Sequence, residues 1–365
     1  MKRLMIYLFL SLASINALAE EVINLPALGA LSNQTSISGL SSGAFMATQF
    51  DVAYSKSVVG VGVVAGGPWG CASSHSAILE LPLLTATTTC MTGEPGGFPN
   101  ARYLVSAAKL ASAEGYIDNL DNLKNDRVYI FSGTEDTVVK TGVTDSTFDF
   151  YDELVSNPQQ IFYDKSVPAG HAFITNNPAD NDCSANASPN INYCNLQQAF
   201  EIFEHIYGPQ NPPSPTDSSL LKHLYKFDQK EFIPKNRTGN ILLNTFGMED
   251  SGYVYIPEIC EEYSDECKVH VALHGCGQGT SRLGKQYIID TGYMEAADTN
   301  KTIVLFPQVK SIPGINPKGC WDFWGYTTGT LLDPYSYGAE YAHKNAPQMF
   351  AIKGMIDRLT SPRSG

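Results

Sequence analysis

The 365-residue sequence has little charge, and what it has is one-sided: 24 Lys and Arg against 37 Asp and Glu give a net charge of -13. A chain of that sign repels phosphate backbones and anionic bilayers, so neither nucleic acid nor membrane is an expected partner. No C-x-x-C pair and no tight Cys/His cluster occurs, so the usual structural zinc sites are not expected. Internal repeats, charge blocks and low-complexity tracts are missing too, which argues against solenoids and disordered tails. A run apolar enough to cross a membrane is absent beyond the first residues. There Lys2 and Arg3 precede the apolar run Leu4 to Leu12, and the stretch closes on Ala17-Leu18-Ala19. That order of basic, apolar and small residues describes a secretory signal peptide cut after Ala19, and its core is short for a membrane span. The expectation is a mature chain of residues 20–365 that is secreted or periplasmic.

What is present is enough apolar sequence, 43% of residues, to bury a large core. Eight cysteines on an exported chain suggest disulfides. Cys71 with Cys90, Cys183 with Cys194, and Cys260 with Cys267 are local neighbours, which leaves Cys276 and Cys320. This is the simplest of 105 connectivities.

One stretch stands out. Thr35 to Phe50 reads as a strand, a Gly-flanked turn and the start of a helix whose Phe45, Met46, Phe50 and Ala53 share a face. Within it Gly39-Leu40-Ser41-Ser42-Gly43 fits the G-x-S-x-G nucleophile elbow, in which small neighbours let a strained turn expose one hydroxyl. Further strands are predicted at Val58 to Ala65, Asp126 to Phe131 and Gln160 to Tyr163. A helix capped by Asn195 follows, and then Gly208 to Pro215, GPQNPPSP, which breaks regular structure and reads as an internal linker. Beyond it strands are expected at Leu224 to Phe232, Asn240 to Phe246, Gly252 to Ile256, Lys268 to Leu273 and Lys301 to Phe306. Helices are expected over Leu283 to Asp298 and Ala346 to Leu359. Alternating strands and helices imply an α/β fold, a mostly parallel central sheet with helices on both faces.

A serine hydroxyl attacks only if an imidazole takes its proton, and the imidazole needs a carboxylate to fix its tautomer. In chain order the sequence offers Ser41, Asp136 and His171, each just past a predicted strand, where open α/β sheets place their sites. Glu135 competes with Asp136, and six other histidines compete with His171. Only His171 combines a loop after a strand with a position downstream of the acid. Donors for a developing oxyanion would be the N–H of Ser42 and that of Cys276, in VALHGCGQ, unless that Gly-rich stretch is an ordinary turn. His274 would then orient the loop. In an ordinary hydrolase of this order the oxyanion-loop strand precedes the elbow, whereas here it follows by more than two hundred residues. Circular permutation resolves this: the last helix would lead into the elbow strand, and the two halves would share one sheet.

These residues resemble the esterase-type polyhydroxybutyrate depolymerases of the single-domain, circularly permuted α/β-hydrolase kind. The resemblance rests on GLSSGAFMA at 39–47, GTEDTVV at 133–139, GHAFIT at 170–175, HGCGQ at 274–278 and GCWDFWGY at 319–326, and it covers nearly all of residues 20–365. It implies a serine esterase with Ser41, Asp136 and His171 as triad, Ser42 and Cys276 as oxyanion hole, and a Cys276–Cys320 disulfide. It also implies an aromatic contact to the polyester at Trp324, with Trp321 and Asn316 as weaker matches, and no metal or organic cofactor. Many relatives carry a separate polymer-binding domain that finds no counterpart here, so oligoesters or amorphous polymer are the expected substrates. Another exported carboxylesterase, acting on feruloyl or acetyl-polysaccharide esters, is the alternative; a catalytically silent binding protein is a third reading.

Overall fold

The computed structural model describes residues 20–74, 81–234, 246–328 and 339–363. Met1 to Ala19, His75 and nearly all of the strand expected at Asn240 to Phe246 lie outside them. Among these residues twelve strands form two sheets. They are β1 (Val22–Ile23), β2 (Thr35–Leu40), β3 (Val58–Val64), β4 (Arg127–Phe131), β5 (Ile161–Asp164), β6 (Phe173–Thr175), β7 (Asn181–Asp182), β8 (Ile191–Tyr193), β9 (Leu224–Asp228), β10 (Ser251–Tyr255), β11 (Lys268–Leu273) and β12 (Thr302–Phe306).

The large sheet runs β1-β9-β10-β12-β11-β2-β3-β4-β5. Among the described strands of this sheet, β10 alone runs antiparallel to both of its neighbours. β2 and β3 are almost wholly buried, which is why their sequences are apolar or small rather than alternating. The two faces can still be told apart. Gly60 and Gly62 of β3 lie against Ile206 and Ile202 of the helix Gln198–Tyr207, where a Cβ would collide. Ser36 and Ser38 of β2 face the same side, with hydroxyls bonded to Tyr207 and Tyr293. By the two-residue period of a strand, Ile37 and Gly39 point to the opposite face, against the helix Ser42–Ala53.

Counted from β9 to β12 and then from β2 to β5, the strands lie in the order 1-2-4-3-5-6-7-8. That count begins after the Gly208–Pro215 break. The ends meet accordingly. Leu28 and Ala30 N–H both donate to Leu359 O, and Gly29 N–H donates to Ser361 O. The last helix, Pro347–Thr360, thus delivers its end beside the segment that enters β2. The segment 208–215 is irregular and tied down: Asn211 N–H donates to Asn300 Oδ1 and Ser214 N–H to Glu295 O.

Three expectations need correcting. The helix over Leu283 to Asp298 is three short ones, Thr280–Leu283, Gln286–Asp290 and Tyr293–Asp298. Gly284 and Gly292, at φ 60° and 77°, break it. Asn195 does not cap its helix: it sits at φ 58°, and the helix starts three residues later at Gln198. The strand expected at Leu224 to Phe232 stops at Asp228, and Lys230–Phe232 turns into a single 3₁₀ turn.

Candidate active site

Ser41 stands between β2 and the helix Ser42–Ala53 at φ 57°, ψ -122°, a conformation costly for a side chain with a Cβ. Ser41 N–H donates to Val64 O of β3, and Phe45 N–H donates back to Ser41 O, so the turn is anchored at both ends. Crowding dictates the flanking glycines. A Cβ on Gly39 would lie 2.4 Å from the Gly43 carbonyl carbon, and one on Gly43 would lie 2.3 Å from Leu273 O at the end of β11. The Ser41 side chain does not cap its own helix, which keeps the hydroxyl available.

Asp136 and His171 are brought together from the loops after β4 and β5. His171 Nδ1 and Asp136 Oδ2 are 2.8 Å apart, with the residues only 6% and 3% exposed. The other oxygen, Asp136 Oδ1, accepts from Val138 N–H and Val139 N–H. A carboxylate held in this way fixes the imidazole with Nδ1–H toward it and leaves Nε2 free to take a proton. Among the described residues no hydrogen bond joins Ser41 Oγ to His171; contacts of this kind often tighten only with substrate. Glu135 is exposed, and its N–H and C=O are spent on Ala169 O and the Asn186 amide.

The segment Gly275 to Gln278 is a β-turn, closed by Gln278 N–H to Gly275 O at 3.2 Å, with Gly277 at φ 79°. It lies over the elbow: a Cβ on Gly275 would be 3.3 Å from Ser41 Cβ. The stretch is thus a β-turn, and it stands next to the serine. Burial lowers His274 to about 4. Neutral, it donates Nδ1–H to Gly275 O and accepts from Val309 N–H. Cys276 is bonded to Cys320 with Cα atoms 4.2 Å apart, which ties the turn to the segment 320–327. The other disulfides are Cys71–Cys90, Cys183–Cys194 and Cys260–Cys267.

Trp321 is fully buried beside His274, its backbone N–H 3.3 Å from Ser42 Oγ. Trp324 packs edge-on to Phe323 and tilted against Tyr326. Both indole N–H groups lack a partner among the described residues. Asn316 is buried, its amide bonded twice to the Cys320 backbone, so it braces the tryptophan segment from behind. The whole segment is wound around the buried Asp322 carboxylate, which accepts from the N–H groups of Trp324, Gly325, Tyr326 and Thr327.

Sequence reasoning missed the residues that join these parts. Asn186 Oδ1 accepts from Thr137 N–H and His171 N–H, so one side chain sets the acid loop against the base loop. Asn190 donates Nδ2–H to His171 O. Both come from the Asn-rich stretch bracketed by Cys183 and Cys194, and that density of asparagine inside a short disulfide loop was the available signal.

A serine on a strained strand-to-helix turn and a buried acid–imidazole pair, each in a loop past the carboxyl end of a parallel strand, are the marks of serine hydrolases of the α/β-hydrolase class. Comparison with known proteins narrows the class. No protein-family model matches the chain. It is 39% identical over 345 residues to a poly(3-hydroxybutyrate) depolymerase of Delftia acidovorans, covering 94% of this chain and 63% of that protein. It is 33% identical over 376 residues to a polyhydroxybutyrate depolymerase of Talaromyces funiculosus, covering 97% of both. Two solved structures superpose with a TM-score of 0.76 over 92% of this chain and 98% of theirs: a PHB depolymerase from Penicillium funiculosum at 32% identity, and a PHB depolymerase with a serine-to-alanine replacement complexed with an R3HB trimer at 31%. The chain belongs to the polyhydroxybutyrate depolymerase family.

Proposed function

We propose that this protein hydrolyses the ester bonds of poly(3-hydroxybutyrate), or of related short-chain polyhydroxyalkanoates and their oligomers, through an acyl-enzyme on Ser41. The observation that carries the reading is the Asp136–His171 pair, 2.8 Å apart and buried on the same sheet edge as the strained Ser41. His171 Nε2 takes the Ser41 proton as Oγ attacks the ester carbonyl. Ser42 N–H and Cys276 N–H receive the oxyanion, and collapse expels the chain's hydroxyl end, protonated by the imidazolium. Water then attacks the acyl-enzyme by the same route and releases a carboxylate. Trp324 would meet the acyl chain, with Trp321 and Asn316 shaping the wall behind it. The complex of the related depolymerase with an R3HB trimer supports oligoester as substrate. Four disulfides suit an oxidising compartment, and we assign the chain to secretion or the periplasm after loss of residues 1–19.

Ser41→Ala tests the reading. Turnover of an (R)-3-hydroxybutyrate trimer is expected to fall by ~10⁴-fold or more while the fold is kept. Near-normal turnover by the variant would refute the mechanism.

A further inference from the structure

The oxyanion turn and the base loop lie about a hundred residues apart in the chain, yet both must sit correctly about one carbonyl carbon. Two side chains in series, Gln278 and Asn190, join them. Gln278 is 2% exposed, and its amide is used at both ends. Oε1 accepts from Gly275 N–H at 2.6 Å, and Nε2 donates to Pro189 O at 2.7 Å and Asn190 O at 3.3 Å. Asn190 in turn donates its amide to His171 O at 2.8 Å, and its own O also accepts from Phe173 N–H. A continuous path therefore runs from Gly275, where an added Cβ would meet Ser41 Cβ at 3.3 Å, through Gln278 and Asn190 to the backbone of His171.

We infer that Gln278 is a positioning residue that holds the oxyanion turn in register with the imidazole; this rests on the acyl-enzyme reading above. Two bonds fix the turn from within, Gln278 N–H to Gly275 O and Gly275 N–H to the Gln278 amide. They settle the orientation of the peptide that presents Cys276 N–H. The strap to Asn190 then fixes where the turn stands relative to His171. The disulfide to Cys320 holds the same turn from the side of the tryptophan segment and leaves this relation free. Oxyanion donors act through distance, and a displacement of about 1 Å costs on the order of 100-fold in rate. The ground-state ester gains little from them, so the effect belongs in kcat rather than KM.

Two variants separate the halves of the strap. Gln278→Ala removes both; Gln278→Glu keeps an acceptor for Gly275 N–H but sets a carboxylate against two carbonyls. The readouts are kcat and KM on the (R)-3-hydroxybutyrate trimer, the rate at which a fluorophosphonate labels Ser41, and Tm. Both variants are expected to lose ~10–100-fold in kcat and in labelling rate, with KM within about 3-fold of wild type and an unshifted pH profile of kcat/KM. Because Asn190 lies on the same path, Gln278→Ala with Asn190→Ala is expected to lose no more than about 3-fold beyond the worse single variant. A kcat and labelling rate within 3-fold of wild type in Gln278→Glu, a loss confined to KM, or single effects that multiply in full would each overturn the assignment. Labelling needs only the serine, the base and the oxyanion donors, so it decides the role of Gln278 even if the trimer proves not to be a substrate.

Discussion

Asn186 is the residue on which the acid–base pair turns. Its amide reaches Thr137 N–H and Glu135 O of the acid loop and His171 N–H of the base loop, and it also donates to Ser184 O of its own loop. Each such bond is worth about 1 kcal/mol net, and losing the set lets the two loops slide. Asn186→Ala is expected to lower kcat/KM by ~5–30-fold, about 1–2 kcal/mol of transition-state stabilisation, with a smaller loss in Tm. Steady-state kinetics on the trimer check it, and unchanged kinetics would show that the loops hold themselves. Ser41, Asp136 and His171 can be read from sequence because each follows a strand, and a strand end is a local pattern. Asn186, Asn190 and Gln278 act by reaching across loops far apart in the chain, which leaves no spacing to read. His270 shows the converse: within a strand pattern, it is held by Ser36 and Ser38 hydroxyls in the sheet and has no part at the edge.

At the scale of elements the elbow depends on how closely the helix Ser42–Ala53 approaches β11. Gly43 has no room for a methyl group: its Cβ would fall 2.3 Å from Leu273 O and 2.6 Å from His274 O, both backbone atoms that cannot turn aside. Gly43→Ala must therefore push the helix away from the strand that ends in the oxyanion turn. A destabilisation of about 1–3 kcal/mol is expected, with a loss of Ser41 labelling larger than that change explains at a temperature where the variant stays folded. Denaturant melts and labelling rates on the same samples test it; wild-type labelling would mean that the elbow and the turn can part without consequence. Strand identities around this contact were legible because buried parallel strands are apolar or small throughout. Helix continuity was less so. Apolar periodicity over Leu283 to Asp298 runs through Gly284 and Gly292, whose positive φ values divide the stretch into separate turns that keep the apolar side inward. Circular permutation was an expectation drawn from the order of motifs alone, since each strand by itself looks like any other.

For the whole molecule, acid and alkali each meet buried groups held in the wrong charge state. Burial lowers His270 to about 3 and His274 and His343 to about 4. An unfolded histidine takes its proton near 6.5. Between that value and the folded ones the unfolded chain binds more protons, so these groups weaken the fold as pH drops below about 6.5. Asp51 and Asp126 act in the opposite direction. Asp51 Oδ2 accepts from Tyr151 at 2.7 Å, whereas Asp51 Oδ1 and Asp126 Oδ2 have no partner among the described residues unless one carboxyl is protonated and donates to the other. Burial, and for Asp126 the neighbouring Asp51, raise both pKa values well above the usual carboxylate range. The folded pair retains a proton that unfolded carboxylates release near 4, so its contribution weakens as pH climbs from there toward the raised values. Asp126→Asn supplies a donor to Asp51 with no proton to lose. Calorimetric Tm values from pH 4 to 9 are expected to show the same acid limb as wild type and a flatter alkaline limb, with Tm higher by about 1–2 °C for each kcal/mol relieved. Superimposable alkaline limbs would show that the pair does not share a proton and that the alkaline loss arises elsewhere in the fold.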